Sequence, residues 1–117
     1  MRNDLKERTK HLAMETIQLV EELPKTKTAD IIGRQLLRSA TSVAANYRSA
    51  CRAKSRSDFI SKMGIVEEEA DESLFWLELL IETGIANNDK ALRLYQEFNE
   101  IIAITVSSIK TARQNKA

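Results

Sequence analysis

Apolar residues recur along this chain at spacings of three and four, and short breaker-rich stretches interrupt the pattern three times. Leu5, Leu12, Leu19 and Leu23 fall on one stripe at about 100° per residue, with Thr9 and Thr16 between them. Leu36, Ala40, Val43, Ala44, Tyr47, Ala50 and Cys51 share a second face. Phe59, Met63, Val66, Ala70, Ser73, Leu77 and Leu80 make a third, and Ala91, Tyr95, Phe98, Ile102, Val106 and Ile109 a fourth. The breakers are "LPKTKTAD", "KSRSD" and "TGIANND". Pro24 cannot continue a helix, and Gly84 suits a left-handed C-terminal cap. Thr28, Ser57 and Asn87 or Asn88 are the expected N-caps, and Asp58 suits a helix first turn. The pattern predicts helices near 4–23, 29–53, 58–83 and 89–113. Alternating three–four spacing is the seam of helices that pack at about 20°. Short connections make sequential helices antiparallel. The expected fold is all-α, an antiparallel up-and-down four-helix bundle forming one domain over residues 1–117.

Two helices carry more than a core face. On the second, Arg34, Arg38, Arg48 and Arg52 line the side away from the core, over about 27 Å at 1.5 Å per residue. Ser39, Ser42, Asn46 and Ser49 occupy a third sector, small enough for close approach of a neighbour. On the third, Ile65, Phe75, Trp76 and Leu79 lie roughly opposite the core, beside Glu68 and Glu72. A helix apolar on two sides has two partners. The second partner is another subunit, or else the fourth helix or the chain end.

Composition sharpens this picture. Only three Gly and one Pro in 117 residues leave little material for turns, and 30% charged against 43% hydrophobic residues suits a soluble domain. The net charge is +1, so the chain is no polycation. The charge is blocked nevertheless: Ile31–Ser57 holds Arg34, Arg38, Arg48, Arg52, Lys54 and Arg56 and no acid, whereas Met63–Asp89 holds eight acids and no base. Such blocks face each other or form two differently charged surfaces. Either the arginines meet Glu68, Glu69 and Glu72 across a subunit interface, or they bind RNA or DNA phosphates together with Lys54 and Arg56. Part of the stripe staying solvated is the third reading.

Little else carries chemistry. Cys51 is the sole cysteine, expected as a small buried apolar residue, and a cytoplasmic setting follows from the absence of disulfide pairs. His11 is the sole histidine, expected at a solvated position. No phosphate loop is present, and Glu68, Glu69, Asp71 and Glu72 lack the Glu-x-x-His pairs of di-iron bundles. No cofactor, metal, membrane partner or enzymatic activity is expected.

The segments "LPK", "IGRQLLRSATSVAANYRSA", "SRSDFISKM" and "EEADESLFWLELL" resemble the four-helix-bundle family encoded in intervening sequences of bacterial 23S ribosomal RNA genes. They cover about Leu5 to Ile81; the fourth helix fits by pattern. The resemblance implies a ring-like homopentamer and kinship with the accessory variability protein of diversity-generating retroelements. That relative is strongly basic and binds nucleic acid and a reverse transcriptase, and the near-neutral charge here departs from it. The expectation is a non-enzymatic oligomeric scaffold or adaptor, with nucleic-acid binding as the alternative and an unidentified protein partner as a third class.

Overall fold

Three of the four helices begin where a side chain satisfies an orphan backbone donor. The computed structural model describes residues 4–115, with helices α1 (Asp4–Glu21), α2 (Lys27–Ala50), α3 (Arg56–Glu82) and α4 (Asp89–Gln114). Thr26, Ser55 and Asn88 accept hydrogen bonds from the backbone N–H groups of Ala29, Asp58 and Ala91, three residues on. Asn88 is the expected cap. The other two caps lie two residues before the expected Thr28 and Ser57. At α3 the cause is reciprocal bonding: the Asp58 carboxylate reaches back to the Lys54 N–H at 3.0 Å while Ser55 receives the Asp58 N–H.

The first three C-termini close earlier than periodicity suggests, whereas α4 runs one residue past its expected end. α1 stops ahead of Pro24, and Glu22 and Leu23 bond three residues back in a tightened final turn. α2 ends at Ala50, and Arg52 and Ala53 bond back to Ser49 and Ala50 in the same manner. Cys51 therefore caps the helix at the bundle end and is exposed, which corrects the expectation of a buried residue. Gly84 adopts φ +79°, and beyond it the Ala86 N–H returns to the Leu80 carbonyl at 2.9 Å.

The helices pack in chain order around a square, α1 on α2, α2 on α3, α3 on α4, with α4 closing weakly onto α1. Cross-links fix the antiparallel sense. Arg8 meets Glu97 and Glu100, Arg93 meets Glu15, and Lys90 meets Glu22, so α4 descends as α1 climbs. The result is a rod with extents 52 × 22 × 19 Å. Its core holds Leu12 and Leu19 of α1, Leu36, Ala40 and Val43 of α2, Met63, Val66, Ala70, Leu77 and Leu80 of α3, and Phe98 of α4. Thr9 and Thr16 are buried on α1 because their hydroxyls donate to the carbonyls of Lys6 and Leu12.

The α4 stripe is shifted from the expected one. Ala91, Leu94, Phe98, Ile101, Thr105 and Ile109 are buried, whereas Tyr95 and Ile102 are only half-buried and Val106 is exposed. Two adjacent stripes on α4 are apolar, and packing selects the one that faces both α3 and α1. Among the described residues no helix is long and apolar enough to cross a membrane.

Candidate functional site: the outward face of α2 and α3

The tightest seam in the bundle joins α2 to α3, and small side chains make it so. Ser39 and Ser73 are fully buried with their hydroxyl oxygens 2.8 Å apart, and each is also within bonding distance of a carbonyl on its own helix. Ala40 and Ala70 add nothing beyond Cβ to the interior around them. Close approach brings the outer edges of the two helices together as one surface.

On that surface one arginine fork spans the gap. Arg38 Nη2 donates to Glu72 Oε2 at 2.6 Å, and Nη1 to Glu69 Oε1 at 3.3 Å. The Glu72 oxygen also accepts the Trp76 indole N–H at 3.3 Å. Trp76 in turn meets Phe75 edge-on, with ring centroids 5.0 Å apart. The Arg38 bond holds the Glu72 carboxyl below the usual carboxylate range, with Trp76 adding to the effect, and the same bonding raises the Arg38 pKa. Arg38, Glu69, Glu72, Trp76 and Phe75 thus form one connected chain of contacts within a single subunit.

The rest of the anticipated site divides. Arg34 turns back to Asp30 of its own helix at 3.1 Å. Arg48, Arg52, Lys54 and Arg56 stand at the α2–α3 turn, and no carboxylate among the described residues lies within ion-pair distance of them. Glu68 is exposed on the outer side of α3. Ile65 is exposed at 39% and Phe75 at 50%, while Trp76 and Leu79 are half-buried. Ile31, 52% exposed, is a further apolar side chain on the face that sequence reading passed over. The signal was there, because seven residues separate it from Arg38 and a helix turns nearly two full times over seven.

His11 is well exposed, 3.2 Å from Glu15. Tyr47 is pushed up to about 12 by burial and by its contact with Cys51. No three His, Cys, Asp or Glu side chains among the described residues converge to hold a metal ion. What the face offers is apolar area framed by an oriented ion-pair network.

A model of the 23S rRNA-intervening sequence protein family matches residues 1–107. Among solved structures, a crystal structure of a protein with unknown function from the S23 ribosomal protein family of Bacteroides thetaiotaomicron VPI-5482 is similar. It shares 35% sequence identity, over 90% of this chain and 97% of its own, with a TM-score of 0.83. Comparison with curated proteins finds no match.

Proposed function

The chain belongs to the 23S rRNA-intervening sequence protein family, and from that premise we propose that it is a non-enzymatic subunit of a homo-oligomer, a scaffold or adaptor whose subunits meet on the outward α2/α3 face. The observation that carries the reading is the exposed Phe75 ring, packed edge-on against a Trp76 that the Arg38–Glu72 pair holds in place. Aromatic anchors fixed by packing lose little entropy when a partner covers them. Ile31 and Ile65 extend the same apolar surface along the two helices. Because Arg38 finds its acids inside the subunit, the network frames the interface and leaves Glu68 for contacts across it. The ring of five subunits implied by the family resemblance is the assembly we propose. Adaptor partners would bind the assembled ring.

Native mass spectrometry at micromolar concentration tests this. The expected species is a pentamer, and Phe75→Ala or Trp76→Ala shifts the population toward smaller species while helicity by circular dichroism persists. A wild-type chain that stays monomeric under those conditions sinks the reading.

A further inference from the structure

The up-and-down topology gathers charge that is scattered in sequence. The α1 N-terminus, the α2–α3 turn and the α4 C-terminus all lie at one end of the rod. Between Arg48 and Lys62 five basic side chains stand against the single acid Asp58, which Lys62 already pairs at 3.0 Å. From Ile101 to Asn115 the chain holds Lys110 and Arg113 and no acid, and Glu67 of α3 is the one acid lining their groove. Lys6 and Lys10 of α1 share a groove with Arg48 of α2, where Glu7 is the acid present. The other half of the molecule has the opposite sign: Asp71 to Asp89 contains five acids and no base. A net charge of +1 therefore conceals a rod with a cationic pole.

We propose that this pole binds the phosphate backbone of duplex nucleic acid, without reading its sequence. The site takes in the Arg48 and Arg52 half of the α2 stripe and leaves out Arg34 and Arg38, which are engaged by Asp30, Glu69 and Glu72 and lie toward the other end. Three features select this partner. The end face is about 20 Å across, a width over which a duplex presents on the order of a dozen phosphate charges at one per ~1.7 Å. The cations are interleaved with Ser55, Ser57 and Thr111, hydroxyl donors suited to phosphate oxygens. No aromatic ring among the described residues is exposed there, since Tyr47 and Phe59 are both half-buried, so the stacking platform of a single-strand binder is missing. A membrane surface fits less well: the large apolar side chains exposed by half or more, Met14, Ile31 and Phe75, lie outside the α2–α3 turn and the α4 C-terminal segment, where Ile104 and Val106 are less exposed.

The test is fluorescence anisotropy of labelled 20-base-pair RNA and DNA duplexes, titrated with the full chain at 50 and 200 mM salt. About four to five phosphate contacts predict a loss of affinity of roughly a hundredfold or more between the two salts. The Arg52→Glu/Lys54→Glu/Arg56→Glu variant should lose more than about thirtyfold at 50 mM, while Arg34→Glu stays within about twofold. Preference for RNA or for DNA supports the site and assigns the source. Absence of binding at 50 mM, a salt-independent affinity, or equal binding by the triple variant overturns it, as does tighter binding to phosphatidylserine vesicles. Native mass of the triple variant reads assembly separately, so failure here is distinguishable from failure of the oligomer reading.

Discussion

The α2/α3 and α1/α4 seams close the same bundle by different physics. Between α2 and α3 small residues allow close approach, and the one buried polar contact, Ser39 to Ser73, is satisfied on both sides. Between α1 and α4 the backbones approach least, and long side chains span the gap: Arg8 to Glu97 and Glu100, Arg93 to Glu15, Lys90 to Glu22. One seam depends on steric fit and the other on charge at partial exposure. Fit is insensitive to salt and intolerant of volume; exposed ion pairs are the reverse.

Adding volume to the tight seam should have the largest effect. Ser73→Leu places a branched side chain where two hydroxyls now meet at 2.8 Å, with no room left between the helices. We expect a loss of about 3 kcal/mol or failure to fold, read by urea denaturation. If the cost is under about 1 kcal/mol, the seam is not limited by fit. The charge seam should respond to neutralisation instead. Arg8→Gln/Lys90→Gln/Arg93→Gln removes its cations, at a total of about 1–2 kcal/mol. Unlike the cost of Ser73→Leu, that difference should shrink in 1 M salt, where the screening length is about 3 Å.

A third substitution separates burial from bonding. Thr9 and Thr16 of α1 donate to carbonyls of their own helix, whereas the buried Thr105 hydroxyl of α4 has no partner. Thr105→Val keeps the shape and removes an unsatisfied group, so thermal denaturation should show a gain of about 1 kcal/mol. Thr16→Val should give no such gain, because its hydroxyl is already bonded at 2.8 Å.

The contrast between the seams also marks what the sequence could express. Helix number and the core stripes of α1 and α3 were legible because each stripe keeps its three–four spacing along the helix, even with Ile17, Ile65 and Phe75 exposed beside it. On α4, Tyr95, Ile102 and Val106 are as apolar as the buried stripe beside them, and only the placement of α1 decides between the two. Cys51 misled because its place on the wheel is apolar, while the helix ladder ends one residue earlier. The caps at Thr26 and Ser55 were legible in principle as polar residues three positions before a helix donor, but Thr28 and Ser57 offered the same chemistry. The α2 arginines were visible as a stripe and the α3 glutamates as a block. That Arg38 reaches Glu69 and Glu72 of its own chain is a matter of inter-helix register, which no single-helix pattern contains. The cationic pole needed topology as well, since the α2–α3 turn and the α4 C-terminus share one end only because the helices alternate in direction.

The smallest effect concerns the one place where charge crosses the tight seam. Hydrogen bonds from Arg38 and Trp76 hold the Glu72 pKa below its ordinary 4.5. A carboxylate with a depressed folded pKa contributes stability that is fully present above its unfolded value and is lost as pH falls through the folded one. Stability should therefore decline on acidification from about pH 5, and Asp58, lowered from 3.8 by the Lys54 N–H and Lys62, adds to the decline at the start of α3. Glu72→Gln keeps an acceptor for the indole and for Arg38 but cannot ionise, so its denaturation midpoint should vary less with pH below 4.5 than that of the wild type. Charge on this seam is an outer clasp over a steric contact. Once pH has fallen through the folded pKa of Glu72 the wild type should accordingly lose the clasp while retaining the Ser39–Ser73 approach, and Ser73→Leu should remain as costly there as at pH 7. If acid removes that cost as well, the two helices are held together by their charges after all.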